Sequence, residues 1–453
     1  MNRYFTAALL ALTGTAVQAQ TLSQAPRLVV NITIDQLRTD YIEQFASFYG
    51  QDGFKKLLTE ARVYEAASYP FTPIDRASAI TDIVTGASPY YHYIPGVQWL
   101  DRKTLRPMNC VDDAQYGISP KNIASSTVSD ELKMSTNGSA IVYGIAADKE
   151  SAVLSAGHAA NGAFWIDEHT HTWRTSTYYP EKTQKWIRAY NNSGAYLSGN
   201  KKDINSSIVD ISLHCIQSQA MGRDDTPDIL FVTLSAEAKG KSDWHTEMES
   251  RYMEIDRSLS RLISKAEETV GKSRVLFVLT STGYAGEEAC DYQKYKIPTG
   301  TFYINRATGL LNMYLAAIYG QGKYIEASFR NHLYFNRQLI EQKQISLEDI
   351  LSRSKDFLMQ VSGVRNVLSS SYHPSISGDL IIDVTPGWKL FNEDTNETYI
   401  SRLAYVPFPI VFYGAGMKAE RIQIPATVDR IAPTIAKSIR IRAPNACSSA
   451  PLF

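Results

Sequence analysis

Cysteine is scarce in this chain of 453 residues: there are four, Cys110, Cys215, Cys290 and Cys447, far apart and never in a CxxC pair. That excludes a zinc ribbon or a dithiol redox motif. It leaves room for one or two disulfides in an oxidising compartment, with no pairing assigned by the spacing. Neither sign of charge is in excess, because 46 Lys and Arg face 46 Asp and Glu. No global field therefore gathers nucleic acid or anionic lipid. No apolar run reaches transmembrane length. Internal repeats, low-complexity linkers, glycine-rich phosphate loops, a GxSxG elbow and nucleic-acid-binding motifs are missing as well. What is present is an ordinary globular composition, 44% apolar with 11% aromatics, on a chain long enough for one large α/β domain or two modest ones.

The N-terminus reads as an export signal. Asn2-Arg3-Tyr4 supplies a short basic start, Phe5 to Val17 is apolar and ends in small residues, and Val17-Gln18-Ala19 offers a cleavage site before Gln20. Residues 1–19 are expected to be removed and 20–453 to form the mature protein, in the periplasm or secreted. No Cys follows the apolar stretch, so lipoprotein attachment has no acceptor.

Further along, short apolar β-branched runs are bounded by turn residues or polar breaks: Leu28 to Ile34, Ala140 to Ile145, Ile229 to Leu234, Val275 to Thr280 and Pro409 to Tyr413. Near-continuous apolarity is what strands covered on both faces require. Helical patterns lie between them, as in Tyr252 to Val270, where Met253, Leu259, Leu262, Ile263 and Ala266 recur at helical spacing. The expected fold class is α/β, a mostly parallel central sheet sandwiched between helices, with chemistry at the carboxyl ends of the strands. Residues 300–400 read as an appended α+β subregion of the same domain, with one helix over Leu339 to Met359. Asn191 to Lys202 reads as a surface loop.

Several segments, in order, carry a resemblance. Val30 to Ile42 ends a strand in Asp35; Ile83-Val84-Thr85-Gly86 precedes Pro89 and His92 to Trp99; Ser155 to Trp165 is followed by Thr175 to Tyr179; Phe412-Tyr413-Gly414, Asp429 to Thr434 and Ala443 to Ala446 close the chain. Together they resemble the alkaline phosphatase superfamily, and within it the phosphate-irrepressible alkaline phosphatases of Bacteroidota, of the type I phosphodiesterase/nucleotide pyrophosphatase kind. The resemblance implies an alkaline phosphatase-like fold over essentially the whole mature chain. It also implies two zinc ions at adjacent strand ends, which activate a Thr or Ser hydroxyl and clamp a phosphoryl group in line. Such a site takes six carboxylate and imidazole ligands, in the order Asp, nucleophile, Asp-x-x-x-His, Asp-His and a late His.

Carried over position by position, that set is almost gone. Asp35 fills the first place. The nucleophile position holds Arg76, which can neither attack phosphorus nor ligate zinc. The Asp-x-x-x-His station reads Glu237 to Lys241, the Asp-His pair reads Thr282-Gly283, and the late His aligns with Pro407. The former phosphate-binding positions carry Asp148 and Glu150 in place of Lys and Arg, and Val97 in place of Asn, with Gln98 beside it. Carboxylates there repel a dianionic ester. Arg76 and Lys241 bring positive charge to where the cations would stand, so an ion-pair cluster with Asp35 and Glu237 is expected, Arg76 offering its fork to both oxygens of Asp35.

Substitute sites are less persuasive. Asp243-Trp244-His245 with Glu247, and Asp167-Glu168-His169-Thr170-His171, have chelating residue types in spacings that solvated surfaces also show. His92 and His158 read as structural. Ser78 and Thr72 lie near the lost nucleophile without an identifiable base. The leading expectation is a pseudoenzyme with no catalytic residue and no bound metal or cofactor, acting by binding or assembly in the cell envelope with a protein companion. The alternative is an active phosphomonoesterase or phosphodiesterase with a remodelled site. A third is capture of a small cationic or neutral ligand by Asp148 and Glu150.

Overall fold

The computed structural model describes residues 25–194, 203–238, 243–286, 292, 294–370, 372–400, 403–404 and 406–453. Its centre is a nine-stranded sheet. In chain order the strands are β1 (Leu28–Asp35), β2 (Arg62–Tyr64), β3 (Val142–Ile145), β4 (Gly162–Ile166), β5 (Trp173–Arg174), β6 (Asp228–Ser235), β7 (Val275–Ser281), β8 (Ile410–Gly414) and β9 (Glu420–Ile422). Their spatial order is β5-β4-β3-β6-β1-β7-β8-β2-β9.

The core of the sheet is parallel: β1 pairs with β6 and β7, β6 with β3, and β3 with β4. The run ending at Tyr413 departs from a uniformly parallel arrangement, since β8 lies antiparallel to both β7 and β2. β5 is likewise antiparallel to β4. Every residue of β1 is buried, because its alternate side chains enter two different cores. Val29 joins one side, and Leu28, Val30, Ile32 and Ile34 the other. Helices α1 (Arg76–Thr85), α2 (Val128–Ser135), α3 (Lys149–Ala156), α4 (Ile204–Ser218) and α5 (Trp244–Val270) cover the sheet. Both faces being covered is why the strand sequences lack alternation.

Residues 300–400 build two small sheets of three and four strands around a separate apolar cluster that includes Phe302, Leu311, Leu333, Ile350 and Leu390. The single helix expected over Leu339 to Met359 is two, Arg337–Gln342 and Leu347–Leu358. Gln344 adopts φ +56°, which no helix continues through, and Ser346 caps the second helix by accepting from the Asp349 N–H. The apolar spacing runs across the break, so periodicity alone could not reveal it.

Cys110, Cys215 and Cys447 are unpaired; Cys290 lies outside the described residues. Among the described residues no helix is long and apolar enough to cross a membrane.

Candidate functional site

Parallel register brings three strand ends to one edge. Asp35 at the end of β1 is level with Ser235 of β6, and Ile34 is level with Ser281 of β7. The Asp35 side chain is 5% exposed. Its Oδ1 accepts a 2.7 Å hydrogen bond from Thr282 Oγ1, just past β7. The same Thr282 oxygen accepts from the Gln36 N–H at 3.0 Å. Thr282 is therefore a buried clamp between two strand ends, a role not visible when it is read only as a missing ligand.

Arg76 is the first residue of α1. Asp75 caps that helix by accepting from the Ala77 N–H, and Ser78 completes a capping box with Asp75. Ser78 thus spends its hydroxyl on the cap. A cation at a helix N-terminus is opposed by the macrodipole, so Arg76 needs acidic company, and it has it. Nη1 lies 3.9 Å from Asp35 Oδ2 and Nη2 3.4 Å from Asp148 Oδ1. The fork does not close on Asp35 as the sequence suggested; it bridges two acids. Asp35 offers only one oxygen because Thr282 holds the other. Burial acts to lower the guanidinium pKa, but Asp148, Asp35, Tyr284 and Asp75 outweigh it and raise it.

Asp148 caps α3 by accepting from the Ser151 N–H and hydroxyl at 2.8 and 2.9 Å. It is engaged both by the cap and by Arg76. Glu150 is 7% exposed and takes a 2.7 Å hydrogen bond from Asn109 Nδ2, with Lys149 Nζ 3.9 Å away. Burial, reinforced by Asp148, pushes its carboxyl pKa up. The Val97 N–H donates to Asp75 Oδ1 at 2.9 Å. Asp75 thereby ties the helix start to the loop at Val97. Neither Asp75 nor Asn109 stood out in the sequence, although Asp75-x-x-Ser78 and Asp148-x-x-Ser151 both carry the capping spacing.

The remaining stations do not converge. Gly283 has φ +73°, and a Cβ there would stand 2.6 Å from Tyr69 Cδ2 and 3.0 Å from Phe408 Cε1. Tyr69 is itself anchored by its hydroxyl to the Ser281 carbonyl at 2.7 Å. Pro407 is exposed and serves through its carbonyl, which accepts from the Thr39 N–H. Glu237 is exposed. Lys241 lies outside the described residues, so the ion pair expected between it and Glu237 has no description.

In the alternative chelating patches, His245, Asp243 and Asp167 have other partners, while Glu168, His169 and His171 are exposed. His245 Nε2 meets Gln44 Nε2 at 2.8 Å, and Asp243 caps α5. Asp167 accepts from the Thr170 N–H and pairs with Arg174 at 3.1 Å. His92 is buried, with Nδ1 accepting from the Ile94 N–H, and His158 is held by Asp130 and the Ile123 carbonyl. Among the described residues, no three His, Cys, Asp or Glu side chains stand together as a metal would require.

Residues 29–404 match the family model described as type I phosphodiesterase / nucleotide pyrophosphatase. The alkaline phosphatase PafA of Elizabethkingia meningoseptica is 25% identical, over 94% of either chain. The alkaline phosphatase PhoV of Synechococcus elongatus is 24% identical, over 95% of this chain and 92% of its own length. The crystal structure of wild-type PafA superimposes with a TM-score of 0.78 at 24% identity, covering 94% of this chain and 98% of that one. Murine ectonucleotide pyrophosphatase / phosphodiesterase 5 does so at 0.56 and 11%, covering 92% and 95%. Both structural likenesses concern the fold.

Proposed function

The chain belongs to the type I phosphodiesterase / nucleotide pyrophosphatase family, within the alkaline phosphatase superfamily, and from that premise we propose that it is a pseudoenzyme using a phosphatase scaffold for binding or assembly. The observation that carries this reading is Arg76 at the nucleophile position, seated between Asp35 and Asp148. A guanidinium has no lone pair to offer phosphorus or a metal, and here it occupies the charge of the one surviving ligand.

The donors do not fit the two zinc ions of the superfamily. Asp35 has one oxygen engaged by Thr282 and the other facing Arg76. At Gly283 no side chain fits without displacing Tyr69. Pro407 offers no side-chain donor. The positive charge of Arg76 takes over the neutralising task that divalent ions perform elsewhere, which leaves the scaffold intact and the chemistry absent. Residues 1–19 as an export signal, the envelope as the place of action, and residues 300–400 as a subregion of one domain belong to the same proposal.

The test is metal content of the purified protein together with hydrolysis of p-nitrophenyl phosphate and bis-p-nitrophenyl phosphate. The expected result is no stoichiometric zinc and no chelator-sensitive turnover of either ester. Two bound zinc ions per chain, with turnover abolished by a chelator, would establish an active esterase with a remodelled site instead.

A further inference from the structure

Away from the strand ends, helix α1 buries an acid for which the described residues provide no donor. Asp82 is 0% exposed, and neither of its carboxyl oxygens has a hydrogen-bond partner. Its neighbour Asp429, in the turn Val428–Arg430, accepts from the Ser449 hydroxyl through Oδ2, and its Oδ1 is also buried and unpartnered.

The two segments are packed tightly. At Gly86, one turn beyond Asp82, an added Cβ would stand 2.8 Å from the Asp429 carbonyl oxygen and 2.9 Å from Cys447 Sγ. Among the described residues no cation on the surrounding elements answers the two acids. Asp130 of α2 is turned to His158, Glu131 to Arg442, and Glu150 of α3 to Asn109 and Lys149. Arg430 donates to the carbonyls of Ala450 and Pro451, and Lys437 is exposed. His92 is buried and uncharged, and the titratable groups whose charge bears on this pair are Tyr69 and Cys447.

Three buried carboxyl oxygens without a donor cannot all be anionic at tolerable cost, since an unpaired buried charge is neutralised before it is tolerated. A proton is the smallest group that resolves this. We propose that Asp82 and Asp429 hold one proton between them, with Asp82 as the neutral acid, and that this proton latches the C-terminal segment carrying Cys447 and Ser449 onto α1. Burial, and then Asp429, push the Asp82 carboxyl pKa well above the usual carboxylate range, in agreement with the geometry.

The direction of the pH effect follows. A folded-state pKa raised above the unfolded one means that the folded chain holds a proton the unfolded chain has released. The stabilisation is full below the unfolded carboxyl pKa of 3.8 and is lost as pH climbs to the folded value. Above that point two anions face each other and the latch loosens.

Infrared difference spectra of the full chain against Asp82→Asn, together with denaturation between pH 5 and 9, test this. Wild type should show a protonated-carboxyl band at pH 7 that the variant lacks. Its folding constant should fall with pH by up to about tenfold per unit more steeply than that of Asp82→Asn. Asp429→Asn should make the band vanish at a lower pH, which gives a readout that does not require Asp82→Asn to fold. Absence of the band in wild type at pH 7, or equal pH slopes for wild type and Asp82→Asn, would overturn the proposal.

Discussion

Thr282 Oγ1 donates to Asp35 Oδ1 at 2.7 Å while accepting the Gln36 N–H at 3.0 Å. One buried hydroxyl thus joins the ends of β1 and β7. Replacing Thr282 with Val keeps the shape and removes both bonds, leaving a buried carboxylate oxygen and an amide unsatisfied. Unmade buried hydrogen bonds of this kind cost about 2–3 kcal/mol. Urea denaturation of Thr282→Val should show a lower midpoint with unchanged slope. A midpoint equal to wild type would mean that Asp35 does not depend on this hydroxyl.

Arg76 neutralises Asp35 and Asp148 from a side chain that is 27% exposed. Arg76→Ala leaves Asp35 at the end of β1 and Asp148 at the start of α3 without their shared cation, and breaking such a largely buried pair costs about 2–3 kcal/mol after allowance for the exposed edge. Arg76→Lys should fall between wild type and Ala, because one ammonium cannot span two acids as the guanidinium does. Equal stability of all three proteins would remove the idea that charge replaces metal here.

How much of this was legible beforehand depends on the kind of signal. The strand runs from Leu28 and Val275 announced their elements because both faces of the sheet are covered, and Asp35 at a strand end was legible with them, whereas the register came only with the fold. The antiparallel direction of β8 leaves no mark on its composition. The partner of Arg76 was half legible: the family resemblance, which sets Arg76 in the nucleophile's place, predicted Asp35, whereas Asp148 reads in the sequence as a residue facing a ligand rather than Arg76. Helix capping, which aims Asp148 at Arg76, depends on the exact start of α3. The clash at Gly283 was illegible, since it comes from the ring of Tyr69, more than 200 residues away in sequence, folded onto the same strand end.

That clash has a catalytic consequence. Arg76→Thr alone, or combined with Thr282→Asp and Gly283→His, should restore neither zinc binding nor ester hydrolysis. At position 283 a side chain would meet Tyr69 at 2.6 Å and a backbone φ of +73°, a conformation that bulky L-residues resist. The triple variant should be markedly destabilised as well. Zinc uptake measured by mass spectrometry, with chelator-sensitive turnover of p-nitrophenyl phosphate, checks this. Recovery of both would show the site to be nearer the active superfamily members than its geometry indicates.

His158 and Asp130 give a pH signature remote from the strand ends. Nδ1 of His158 lies 2.9 Å from Asp130 Oδ2, and Nε2 lies 3.1 Å from the Ile123 carbonyl. Burial acts to lower the imidazole pKa, but the bond and charge of Asp130 and the Ile123 carbonyl outweigh it and raise it above 6.5. For Asp130, burial acts upward, and His158 with the Thr127 and Ala159 N–H groups carries its pKa below 3.8. The raised His contributes stability that is full below 6.5 and is lost as pH rises through its folded value. The lowered Asp contributes stability that is full above 3.8 and is lost as pH falls through its own. Wild type should therefore exceed His158→Gln in stability most clearly between about pH 4 and 6.5, by about 1–2 kcal/mol for a largely buried charged hydrogen bond. The difference should narrow on both sides of that window. A difference that is flat from pH 4 to 9 would show that the imidazole holds Asp130 as a neutral donor throughout.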